Sequence, residues 1–167
     1  MPAKLINQQF PVVYGPWYVY EVLLNPVRKV FKYDVITPQT TGGTPDRSIF
    51  EHPTNTDGQE INLLNGYLIS LETVEAGTEE VRIQVAAPGS VVPAIADNVA
   101  TGIAPGSLLK AVYKNAVDGV LVQPCTAANL AAGLCIGRLR ARSITANFLE
   151  KTSAAGKDVI LLHTGVV

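Results

Sequence analysis

From Ile61 onward the chain is cut into short apolar runs by glycine, and few of these runs are long enough for more than one strand. Gly66, Gly77, Gly89, Gly102, Gly106, Gly119, Gly133, Gly137, Gly156 and Gly165 supply the breaks. Between them lie LISLETV, VRIQVAA, VVPAIA, SLLKAVYK, VLVQP and VILLHTGVV, rich in Val, Ile, Leu and Ala. Short runs at regular spacing, separated by turn residues, specify an all-β barrel or sandwich. The pattern predicts strands at Leu68–Val74, Val81–Ala86, Val92–Ala96, Leu108–Tyr113, Val120–Gln123, Ile136–Arg142 and Val159–His163. Asp118-Gly119 between two apolar runs is a hairpin signal. Ala155 to Asp158 reads as a further turn. One short helix is expected at Thr126–Ala132, capped by Thr126 and ended by Gly133.

Residues 1–60 differ in kind and read as an extended N-terminal arm on a body spanning 61–167. They hold seven of the eleven prolines. Tyr14, Trp17, Tyr18, Tyr20 and Tyr33 gather there, and strands are predicted at Trp17–Leu24 and Val27–Val35, turned at Asn25-Pro26. The stretch Thr37–Glu60 is rich in Thr, Pro and Gly and reads as a long loop. The fold expected is therefore all-β: a small β-barrel or sandwich, β-tulip-like, with an N-terminal arm and at most one short helix.

Charge narrows the function. Charged residues make up 16% of the chain and hydrophobic ones 47%, against about 25% charged in an average domain. A surface so short of charge argues for coverage by sister subunits or a larger assembly. The net charge of −1 predicts no nucleic-acid footprint. No stretch approaches the roughly 18 apolar residues of a membrane span. MPAKLINQQF lacks the apolar core of a signal peptide, which points to synthesis in a cytoplasm. Arg138, Arg140 and Arg142 alternate, so on a regular strand they share one face and form a basic docking stripe.

Residues with catalytic potential are few and scattered. His52, beside Pro53 in the polar stretch, is expected to be solvated, and His163 to be a satisfied strand histidine. Glu72, Glu75, Glu79 and Glu80 surround a turn and read as a solubilising edge rather than an acid–base pair. Cys125 and Cys135 fit neither a metal pattern nor a disulfide framework and are expected to be buried free thiols. No serine sits in a nucleophile elbow and no phosphate-binding loop is present. LNGYLISLETV resembles the strand before a biotin or lipoyl attachment turn, yet Glu75-Ala76-Gly77-Thr78 offers no lysine to modify. No catalytic, cofactor or metal residues are assigned.

Five pieces in order, LNGYLIS, IADNVATGIAPG, YKNAVDGVLVQP, TAANLAAGLCIGRLRARS and KDVILLHTGVV, resemble the capsid decoration, or cement, proteins of tailed double-stranded-DNA viruses. The resemblance covers Ile61 to Val167 and is one of pattern. It implies a compact β-fold, often a homotrimer, made in the host cytoplasm and placed on the outer capsid surface of the virion of a bacteriophage. There it would bind the major capsid protein and clamp neighbouring subunits. Trp17, Tyr18 and Tyr20 are the interface candidates of the arm, with Arg138, Arg140 and Arg142 as polar contacts. The alternatives are a carbohydrate- or receptor-binding module at a head- or tail-fibre base and, further off, an enzyme.

Overall fold

A computed structural model describes residues 18–53, 56–97, 104–142 and 158–166. Its strands are β1 (Val19–Asn25), β2 (Val35–Thr41), β3 (Thr44–Glu51), β4 (Gln59–Glu60), β5 (Leu68–Ser70), β6 (Val81–Ala86), β7 (Val91–Ala96), β8 (Leu108–Asn115), β9 (Gly119–Pro124), β10 (Cys135–Arg142) and β11 (Asp158–Thr164). One helix, α1, spans Ala127–Ala131. The described residues are all-β apart from α1, as the punctuation of the chain predicts.

Five strands close a barrel in the order β1-β3-β2-β5-β6, with β6 returning to β1. The other six form a second sheet in the order β10-β11-β7-β9-β8-β4. In that sheet β8 also pairs with β10 through Leu108–Lys110, while β4 joins the same edge at Val112 and Tyr113. The pairings of β8, β10, β11, β7 and β9 therefore run in a ring, with β4 as an extra strand.

Two-residue periodicity sorts the apolar side chains between two cores. Leu24, Ile36, Phe50, Leu68, Ile83 and Val85 fill the barrel. The next residues along the same strands, Ile69 and Ala86, turn outward and, with Val35, pack on Ile95, Leu121, Leu139, Ile160 and Leu162 of the second sheet. The barrel is thus half-covered by its neighbour, and one hydrophobic layer joins the two. The unbroken run Val120-Leu121-Val122 is buried throughout because β9 lies between β7 and β8 with apolar neighbours on both faces.

Five expectations are corrected. Thr37–Glu60 is not a loop: it holds most of β2, all of β3, and β4. Thr41-Gly42-Gly43-Thr44 makes the hairpin, with both glycines at positive φ (57° and 85°), the backbone that a tight two-residue turn demands. A register shift beside Pro38 lets the prolines into the ladder. Val27–Val35 is not a strand but a loop tied by the Val30–Val74 bridge and a turn at Lys32-Tyr33, with Tyr33 at φ 71°. His52 is 1% exposed rather than solvated and packs edge-on against Tyr113 at 5.0 Å. The division expected at residue 60 is not where the sheets divide, since β1 to β3 before it and β5 and β6 after it close one barrel. The predicted strand Leu68–Val74 ends at Ser70.

The helix forms where predicted. The Thr126 side chain accepts from Asn129 N, and the Asn129 side chain accepts from Thr126 N, a reciprocal capping box. Cys125 and Cys135, on either side of the helix, are free and half-buried.

Candidate interaction surface

β1 starts inside the barrel at one end and outside it at the other. Leu24 is fully buried and Val22 is partly buried against the barrel core. Two and four residues earlier on the same face, Tyr20 and Tyr18 are 47% and 57% exposed. The apolar stripe that lines the barrel therefore runs on past the core with nothing from the described residues over it. Val19, between the tyrosines, is 41% exposed. Partial burial still pushes the Tyr20 phenol above its ordinary pKa.

The tyrosines stand on a fixed support. Tyr18 N donates to Ser90 Oγ at 2.9 Å, and Ala87 N donates to Tyr18 O at 2.8 Å. The Tyr18 ring lies so close to Gly89 that a Cβ there would sit 3.2 Å from it. The turn Ala87–Ser90 is itself tied to the end of β11. Gly89 N donates to Thr164 O, Thr164 Oγ1 donates to Ser90 O, and His163 Nε2 lies 3.1 Å from Gly89 O. The satisfied strand histidine expected at 163 is thus a clamp on the turn beneath Tyr18.

The backbone of β1 has a second property. Against β6 it pairs from Val19 to Leu24, but against β3 only from Leu23 to Asn25. Tyr18 O bonds toward β6, so by antiparallel alternation Tyr20, Val22 and Leu24 also point their N–H and C=O groups at β6. Val19 and Glu21 point theirs at the other edge, where β3 has not yet arrived.

The arginines are only partly brought together. Arg138 lies opposite His163 and donates from Nη1 to Gly106 O at 2.7 Å. Adjacent residues therefore run from Tyr18 through Gly89 and His163 to Arg138. Arg140 is exposed and falls at a bulge between Leu139 and Ala141. The bulge breaks the alternation, so Arg142 pairs with Ile160, an odd number of residues from His163. The predicted three-residue stripe is corrected: the bulge at Arg140 interrupts the regular alternation on which it rested. Trp17 lies outside the described residues.

A cleft of about 530 Å³ opens between the 27–31 loop and the β8–β9 hairpin, walled by Phe31 and Tyr113. Its cations serve the fold: Lys29 Nζ is 2.8 Å from Glu75 and 4.9 Å from the Phe31 ring centre, and Arg28 Nη1 donates to His52 O. Among the described residues no cluster of His, Cys, Asp or Glu has the makings of a metal site, and no helix is long and apolar enough to cross a membrane. Sequence reading missed the edge left open among the described residues at Val19 and Glu21, because a gap in pairing is a property of β3, whose partners of β1 lie 26 residues further on (Leu23 to Ile49). The chain matches no protein-family model, no curated protein and no solved structure.

Proposed function

We propose that this protein is a structural virion component that binds the outer surface of a capsid and stabilises contacts between major-capsid subunits, by static adhesion rather than turnover. The observation that carries the reading is the uncovered tyrosine face of β1, held on a turn fixed by hydrogen bonds. Rigid aromatic side chains lose little freedom on docking and dominate interface energetics. Low charge content suits a molecule surrounded by neighbours, and symmetry multiplies weak single contacts into avidity. Arg138 and Arg140 would add polar contacts at the flank.

The test is co-sedimentation with purified capsid shells of the cognate virus. A Tyr18→Ala/Tyr20→Ala double variant is expected to bind at least tenfold more weakly while keeping its circular dichroism, since truncating an interface anchor costs about 2 kcal/mol or more. Unchanged binding would overturn the assignment of this face. The second reading, a carbohydrate-binding module, draws on the same pair, because exposed aromatics on a rigid face also stack on sugars. Glycan-array binding that is lost in the double variant would favour it.

A further inference from the structure

We propose that the exposed edge of β1 pairs with the same edge of a second copy of this chain, antiparallel about a two-fold axis at Tyr20, so that two barrels share one continuous sheet. Among the described residues, β1 pairs with β6 from Val19 to Leu24 but meets β3 only from Leu23 onward. The outward N–H and C=O groups before that point belong to Val19 and Glu21. Such an edge is a template for another strand.

This edge is complementary to itself. With Tyr20 opposite Tyr20, Val19 of each copy faces Glu21 of the other. Both residues point their main-chain groups outward, so each Val19–Glu21 pair exchanges two hydrogen bonds and all four groups of each copy are used. Other axes do worse. An axis at Glu21 sets two carboxylates directly opposite each other and brings Val19 against Leu23, whose edge β3 already holds. An axis at Val19 pairs only that residue within the described strand.

The side chains agree with the same register. On one face Tyr20 meets Tyr20 and Tyr18 meets Val22, and aromatic and β-branched cross-strand pairs stabilise a ladder. Tyr18, Val19 and Tyr20 are all exposed and so have surface to cover. A contact that matches itself is what a two-fold dimer requires, which favours a second copy over an unrelated strand. β3 takes the edge beyond Val22 and limits the ladder to Tyr18–Val22, so the dimer is weak and concentration-dependent. The pairing sets two tyrosine faces side by side and depends on no capsid.

The experiment uses the full chain without capsid, from about 5 to 500 μM, the range of a weak interface. Mass by light scattering is expected to rise from the 17.8 kDa of one chain toward that of two, and amide exchange at Val19 and Glu21 to slow over the same range. Directly opposed residues of a non-hydrogen-bonded pair lie about 4.5 Å apart at Cα, within the span of a disulfide. Tyr20→Cys should therefore give a covalent dimer on mild oxidation, roughly tenfold faster than Val19→Cys. Peptide mapping separates that linkage from Cys125 and Cys135. Tyr20→Asp sets like charges opposite each other and should keep the chain monomeric with unchanged circular dichroism. A mass that stays at one chain throughout would overturn the proposal. Amides at Val19 and Glu21 protected equally at every concentration would overturn it too, by assigning the edge to another part of the same chain. So would a dimer that Tyr20→Asp leaves intact and Tyr20→Cys does not cross-link. Loss of capsid binding by a chain that still dimerises would count against the proposed function alone.

Discussion

Asp34 and Gly119 meet at the seam between barrel and second sheet with no room for a methyl group between them. A Cβ on Gly119 would lie 2.6 Å from Asp34 Oδ2 and 2.9 Å from Phe31 Cδ2, and Gly119 has φ +64°. The buried Asp34 carboxylate accepts from Phe31 N in its own loop and from Val120 N on β9, at 3.2 and 3.3 Å. One side chain from the β1–β2 loop thus fastens the two sheets. Gly119→Ala is expected to cost about 2–4 kcal/mol from left-handed backbone strain and overlap. Asp34→Ala should cost about 3 kcal/mol, because two buried N–H donors lose an acceptor. Urea denaturation measures both, and a loss below 1 kcal/mol in each would show that the seam is held elsewhere.

Burial separates residues that look alike in the sequence. Leu24 is 0% exposed in the barrel core, whereas Leu130 on α1 is 40% exposed. Leu24→Ala should destabilise by about 2–5 kcal/mol and Leu130→Ala by less than about 1 kcal/mol. Equal losses in thermal or chemical unfolding would contradict the barrel core described here.

Tyr67 gives the protein an alkaline limit. Its hydroxyl donates to Ile136 O at 3.0 Å, and burial pushes the phenol from 10.0 up to about 12. The folded state therefore holds the proton more tightly than the unfolded one. Stability from this group is complete below about pH 10 and drains away as pH rises toward about 12. Tyr67→Phe should lose about 1 kcal/mol at neutral pH, from the missing hydrogen bond, and show a shallower alkaline decline. A decline of unchanged slope by circular dichroism would remove Tyr67 as its source.

Cys125 should resist alkylation. Burial first, then the neighbouring Cys135, push its thiol from 9.0 up to about 11. At pH 8 the thiolate fraction falls roughly 100-fold below that of an unperturbed thiol, and iodoacetamide labelling should slow by about one to two orders of magnitude. Peptide mapping of the labelled, unmodified chain by mass spectrometry separates Cys125 from Cys135 and isolates the site. Modification at the rate of free cysteine would contradict the burial.

The β class, the Asp118-Gly119 hairpin, the capped helix and the strands after Val81 were written in local pattern, because alternation and turn chemistry act over a few residues. Thr37–Glu60 was misread for a physical reason. Its strands are polar on exposed faces and gain stability from ladders to β1 and β5, so composition does not mark them. Gly42-Gly43 was the one local sign of the hairpin. Val27–Val35 failed in the opposite sense, since its strand-forming residues are held in a loop by Val74 and Asp34. Tyr18 and Tyr20 were legible as candidate contacts, but not the edge beside them.

What the sequence settled alone was short-range: two-residue alternation, glycine turns and a helix cap, each fixed by backbone sterics and neighbouring side chains. What only the tertiary structure decided was long-range. It closed β6 onto β1, buried His52 and Asp34, displaced Arg140 into a bulge, and ended β3's pairing short of Val19. Pairing register and burial depend on segments far apart in the chain, and no local window contains both partners.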